Sequence, residues 1–174
     1  MNPLLAHLHS IASCVQVDLT DPWWYSRWDI NRGPGWYFIR TDTPVEVLCR
    51  QRLWCASYIP RQAEVSRLTR NYNIAGRASR YADNTKENWN VNEVYSGMAM
   101  SLIDRAREHT FTGPGTAGLA LGRYPELAKY SWTFGFLRLD RMDAPPSGHE
   151  VLLRLGERIW RASNGWPLLC SERA

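Results

Sequence analysis

The sequence predicts a mixed α/β domain, and three observations carry that prediction. Three segments have strand composition: Trp36-Tyr37-Phe38-Ile39, a run ending in Val94-Tyr95-Ser96-Gly97, and Tyr130 to Leu139, where Trp132, Phe134 and Phe136 fall on one side. Other segments place apolar residues at helical spacing, most clearly 149–163, with Leu152, Leu155 and Ile159 as its stripe. The chain has 174 residues and 44% hydrophobic content, which suits one domain with a buried core and a decorating insertion.

Taken in order, residues 3–15 read as an amphipathic helix: Asn2 caps it, Pro3 lies in its first turn, and Leu4, Leu8, Ile11, Ala12 and Val15 form its stripe. The aromatic stretch Asp21 to Trp28 follows, and Gly33-Pro34-Gly35 breaks the chain before the first strand. Pro44 to Tyr58 reads as a helix with Val45, Leu48, Leu53 and Trp54 to bury; Pro60 ends it, and Arg61 to Arg70 reads as a second. Residues 71–92 are polar and loop-like. Residues 1–34 therefore form an N-terminal helix and tryptophan-rich segment. Residues 35–174 form the main domain, interrupted by an insertion at 44–92. A helix is expected over 98–109, and Gly113-Pro114-Gly115 is a loop. Residues 117–130 are ambiguous, with Leu119, Leu121 and Leu127 able to join a short helix. Gly165 and Pro167 stop the last helix in the usual manner.

The net charge is +4, and every basic residue except Lys86 and Lys129 is an arginine. The guanidinium fork matches phosphate, so the bias suits nucleic acid, although a GC-rich genome produces the same bias. Cys14, Cys49, Cys55 and Cys170 include no CxxC pair and are too sparse for a disulfide framework. No stretch is long and apolar enough to span a membrane, and the N-terminus lacks a signal-peptide pattern, so a cytoplasmic protein is expected.

Arg105 and His109 are four residues apart, on one helical face with Met98 and Leu102. Phosphodiester hydrolysis needs a cation for the non-bridging oxygens, a proton acceptor for water and usually a metal held by a carboxylate. Arg105 suits the first task, and His109 or a tyrosine the second. An exposed ion-pairing face is the simpler account of the same two residues.

Gly35-Trp36-Tyr37 resembles the GIY tripeptide of the GIY-YIG nuclease family, and Tyr95-Ser96-Gly97 resembles its YIG tripeptide. In that family an arginine and then a histidine or tyrosine follow the second tyrosine; Arg105 and His109 stand ten and fourteen residues after Tyr95. A late helix then carries a metal-binding glutamate, followed by a proline and an asparagine. Glu157, Pro167 and Cys170 occupy those places, so the asparagine is replaced. The match covers 35–39 and 93–170, and the stretch between the tripeptides is far longer than in the smallest members.

The resemblance implies a three-stranded antiparallel sheet flanked by helices, with Tyr37 and Tyr95 on neighbouring strands. It implies a DNA endonuclease in which Tyr37 helps to activate water and Tyr95 hydrogen-bonds in the same site. His109 relays a proton or touches phosphate, Arg105 steadies the phosphate, and Glu157 holds one magnesium or manganese ion. Family members that act as restriction enzymes carry long insertions, and a phage-defence nuclease or toxin shares the same site. The alternative is a catalytically weak nucleic-acid-binding module. Other accounts of single residues stay open: Tyr37 and Tyr95 as core aromatics, Glu157 as a partner for Arg161, and Glu150 as the metal ligand. In the insertion, Arg61, Arg67, Arg70, Arg77 and Arg80 interleave with Tyr72, Tyr81 and Trp89, a composition suited to double-stranded DNA. A palindrome-cutting enzyme needs two copies, and the N-terminal helix with its tryptophans is the candidate dimer contact.

Overall fold

The computed structural model describes residues 10–30, 32–51, 73–83, 88–111, 118–139 and 148–170. Among these residues the strands are β1 (Ser13–Val17), β2 (Gly35–Thr41), β3 (Trp89–Asn90), β4 (Glu93–Ala99), β5 (Trp132–Arg138) and β6 (Trp166–Pro167). The α-helices are α1 (Val45–Cys49), α2 (Ile74–Ala78), α3 (Arg80–Asp83), α4 (Leu102–Thr110) and α5 (His149–Asn164). No helix among the described residues is long and apolar enough to cross a membrane.

The main sheet is antiparallel and runs β1-β5-β2-β4. It has four strands where three were expected. The fourth is β1, in a segment whose end was read as helix. Ser-Cys-Val-Gln-Val alternates, so Val15 and Val17 are buried while Cys14 and Gln16 face out. Pairing with β5 satisfies backbone groups that an open edge would leave unpaired. Residues 1–9 of the expected N-terminal helix lie outside the described residues.

The described parts of the insertion differ from the expected elements. α1 covers Val45–Cys49 of the helix expected over 44–58. The second expected helix, 61–70, lies outside the described residues. Within 71–92, α2, α3 and β3 replace the expected loop, and Asn73 caps α2 by accepting the Gly76 N–H at 2.7 Å. The expected helix over 98–109 begins only at Leu102, because Met98 and Ala99 extend β4. Ser101 supplies the N-cap, accepting the Asp104 N–H at 3.4 Å.

Alternation along β2 divides the core. Tyr37 and Ile39 join the large core with Val15, Phe134, Leu102 and Ala106, so α4 covers this face. Phe38 and Trp36 point the other way, toward Leu137 and Trp160, so α5 covers the opposite face. Trp24 belongs to the large core: it is 1% exposed, its indole N–H donates to Thr110 Oγ1 at 3.0 Å, and its ring meets Phe134 edge-on. Trp23 and Trp28 are exposed. Gly165, at φ 83°, ends α5 in a conformation that side chains resist and turns the chain into β6. β6 pairs in parallel with β3, and Leu169 N–H then donates to Val94 O at 2.7 Å, laying the C-terminal segment beside the outer edge of β4.

Candidate active site

The sheet register builds the site. Ile39 stands opposite Tyr95, and Tyr37 opposite Gly97, so both tyrosines project from one face of neighbouring strands. Their rings stack with centroids 6.1 Å apart and planes 14° apart. A side chain at Gly97 would meet the Tyr37 hydroxyl at 2.6 Å, so the third residue of Tyr95-Ser96-Gly97 makes room for the hydroxyl of the first strand.

α4 brings His109 onto this pair. Its Nε2 lies 2.9 Å from the Tyr37 hydroxyl, and its ring centroid is 4.4 Å from that of Tyr95. The Leu119 main-chain N–H donates to His109 Nδ1 at 3.2 Å. His109 is fully buried and Tyr37 is 2% exposed. Burial pushes the Tyr37 hydroxyl well above its ordinary pKa, with Tyr95 adding to the shift and Arg105 opposing it. Burial likewise raises Tyr95, and Arg105 again opposes. Arg105, one turn before His109, hydrogen-bonds the Glu108 carboxylate.

His109 is held neutral. Burial lowers its pKa well below 6.5, and the charges of Arg105 and Arg77 lower it further. The unfolded chain gains a proton near pH 6.5 that the folded chain refuses. Stability is therefore complete above that pH and lost as pH falls toward the folded pKa. Urea denaturation between about pH 6.5 and about pH 5 should show stability falling by up to about 1.4 kcal/mol per unit. That slope should shrink in His109→Asn; an equal slope in both proteins would show that His109 is not its source.

Glu157 comes from the other side. It lies on α5, against the face opposite His109, and lines a cleft with Trp36, Tyr37, Ser96, Gly97 and Trp160. Its charge contributes, as the smallest of the causes, to raising the pKa of both Tyr37 and Cys170. Its Oε1 pairs with Arg161 at 2.5 Å. Arg161 also donates to Ser96 O at 3.0 Å and reaches Cys170 Sγ at 3.5 Å. Glu150 is solvated on the outer side of α5, where it pairs with Arg154 at 2.8 Å with both side chains about two-thirds exposed.

Among the described residues, no three His, Cys, Asp or Glu side chains converge as a metal cluster. A hard divalent ion does not require one. Magnesium commonly takes one or two carboxylates and fills its shell with water and substrate oxygens. Glu157, partly exposed at the cleft with one oxygen on Arg161, fits that donor set as the single protein ligand.

Tyr37, Tyr95, Arg105 and His109 thus come together as the sequence suggested, while Glu157 reaches the cleft from the opposite face. Among the predicted DNA-contacting residues, Arg61, Arg67 and Arg70 lie outside the described residues. Arg77 is 8% exposed and donates to Leu169 O; Arg80 donates to Cys170 O at 2.6 Å. Both guanidinium groups hold the C-terminal segment.

The Glu157–Arg161 pair weighed from the sequence is formed, while sequence reasoning overlooked Leu119 and the part played by Cys170. The Cys170 thiol accepts the Ser96 N–H at 3.4 Å and donates to Ser96 O at 3.4 Å, satisfying both backbone groups of the middle residue of the second tripeptide. The only signal for Arg161 was its i,i+4 spacing from Glu157; nothing marked Leu119, whose role is played by its main chain. Compared with protein-family models, curated proteins and solved structures, the chain matches none.

Proposed function

We propose that the chain is a divalent-metal-dependent DNA endonuclease of the GIY-YIG kind. The observation that carries this reading is the hydrogen bond between the Tyr37 hydroxyl and His109, stacked beside Tyr95 with Arg105 on the same helix. Buried Tyr37 and His109, partly buried Tyr95 and the Arg105 guanidinium place four polar side chains together at the edge of the core, a grouping suited to an anion.

Tyr37, as its phenolate, takes a proton from water. The water oxygen bonds to phosphorus, and the bridging oxygen leaves and is protonated from solvent. Burial is the largest opponent of this phenolate, with Tyr95, Cys170 and Glu157 adding to it, and Arg105 favours it. Arg105 pairs with the non-bridging oxygens as their charge grows, oriented by Glu108. Glu157 would hold magnesium or manganese, which when bound supplies charge stabilisation for the phosphate and the leaving oxygen.

Incubation of the full chain with supercoiled plasmid and with single-stranded DNA tests the reading. Cleavage is expected with magnesium or manganese, lost with chelator and lost in Tyr37→Phe. No cleavage by the wild type, or equal cleavage by Tyr37→Phe, overturns it. The Glu157–Arg161 ion pair favours a second reading, a nucleic-acid-binding module with weak catalysis. That reading expects DNA retention without cleavage in the same assay.

DNA contact is assigned to Arg61, Arg67 and Arg70 of the insertion, because Arg77 and Arg80 bind the protein's own C-terminal segment. Each lost phosphate contact lowers the slope of log affinity against log salt by roughly 0.9. Replacing all three arginines with alanine should flatten the slope by about 2.7 units, read by fluorescence anisotropy with calcium in place of magnesium. An unchanged slope would move DNA binding to another surface.

A further inference from the structure

We propose that Gly118 and the Leu119 main chain lock His109 as the neutral Nε2–H tautomer, a fixed hydrogen-bond donor to the Tyr37 oxygen. This rests on the nuclease reading above and narrows the part His109 plays in it.

The hydrogen-bond pattern dictates the tautomer. A main-chain N–H can only donate, so the Leu119 N–H at 3.2 Å requires a lone pair on His109 Nδ1. A neutral imidazole carries one proton, which therefore sits on Nε2. The atom 2.9 Å beyond is the Tyr37 oxygen, which accepts it. The proton of the Tyr37 hydroxyl is thereby directed away from His109.

The segment that delivers the Leu119 N–H is held by close approach. A Cβ at Gly118 would lie 1.8 Å from the Glu108 carbonyl oxygen and 2.2 Å from its carbonyl carbon. Both are main-chain atoms of α4, so no side-chain rotation relieves the clash. Leu119, Ala120 and Leu121 are fully buried, and Ala120 sits at φ 51°, a left-handed conformation that alanine seldom adopts. Packing holds this segment in place against its own backbone preference.

The consequence is chemical. Neither ring nitrogen is open to take the Tyr37 proton: Nδ1 is occupied by Leu119, and Nε2 already carries hydrogen. The Tyr37 O–H releases its proton to solvent water, and the phenolate so formed accepts the Nε2–H bond. The phenolate then takes its proton from the attacking water. His109 stabilises that charge through its Nε2–H without relaying a proton, and Gly118 and Leu119 are positioning residues.

Long-range ¹H–¹⁵N correlation spectra of histidine-labelled protein test the assignment directly. The His109 signals are identified by their loss in His109→Asn. An unprotonated Nδ1 and a protonated Nε2 are expected, unchanged from about pH 8 to about pH 6. A protonated Nδ1, or an imidazolium pattern in that range, overturns the proposal. Gly118→Ala should mix the tautomers and lower kcat by about tenfold or more, with KM within about twofold. If that variant does not fold, an amide-to-ester replacement at Leu119 removes the N–H, keeps the side chain and carries the same expectation. An unchanged tautomer and kcat in the folded variant overturns the positioning role. A wild type that shows the expected tautomer but never cleaves DNA sinks the nuclease reading and leaves the tautomer lock standing.

Discussion

Glu157→Gln is expected to leave no magnesium-dependent cleavage while the protein stays folded. Glu157 is the carboxylate that lines the cleft beside Tyr37 and Gly97, and Glu150 is solvated on the outer side of the same helix. A neutral amide is a poor ligand for a hard divalent ion, so the variant loses the charge stabilisation that ion supplies. The fold should survive. Glutamine keeps an oxygen acceptor for Arg161, and Arg161 keeps its bonds to Ser96 and Cys170. Exchanging a charge-assisted hydrogen bond for a neutral one costs about 1 kcal/mol, small against the stability of a domain. Plasmid nicking and thermal melting measured on one preparation separate the two effects. Cleavage at the wild-type rate would remove Glu157 from the site; an unfolded variant would make Glu157 a structural partner of Arg161 first.

Arg105→Ala is expected to lower kcat by roughly 10²-fold or more, the scale for losing one preorganised donor to a transition-state anion. Arg105 is one turn from His109, its side chain is 25% exposed, and it is close enough to oppose the burial shift of both tyrosines. On the nuclease proposal its loss removes a phosphate contact, and it also removes the charge that lowers the Tyr37 pKa. Arg105→Lys should recover little, because an ammonium cannot reproduce a fork that reaches Glu108 and phosphate together. If Arg105 only pairs with Glu108, a change of about 1 kcal/mol or less in stability and none in rate is expected. Single-turnover cleavage by Arg105→Ala at the wild-type rate would end the catalytic reading of α4.

Much of the fold was legible where local pattern and tertiary demand agree. β2, β5 and α5 appear where strand composition and helical periodicity placed them, but the buried face of α5 is Leu153 and Trp160, while Leu155 of the expected Leu152, Leu155, Ile159 stripe is exposed. β1 was misread because Leu4, Leu8, Ile11, Ala12 and Val15 satisfy a helical period, while Cys14-Val15-Gln16-Val17 satisfies a strand period over fewer residues. The open edge of β5 decided between them. Arg77 and Arg80 were read outward because composition cannot say which way a guanidinium points. In the fold both turn inward and donate to the carbonyl oxygens of Leu169 and Cys170.

The sequence by itself marked the segments of β2, β4 and β5 and the last helix through side-chain periodicity, and Tyr37, Tyr95, Arg105, His109 and Glu157 through the resemblance of their ordered motifs to those of a family. Only the tertiary structure decided what those residues do to one another. Opposing Tyr37 to Gly97 is a matter of strand register, and placing Glu157 on the far face is a matter of which side of the sheet α5 packs against. Fixing the His109 proton depends on a main-chain N–H ten residues away, delivered by a glycine that fits where no side chain would. Backbone groups are the same in every residue, so no sequence pattern marks the one that sets the chemistry.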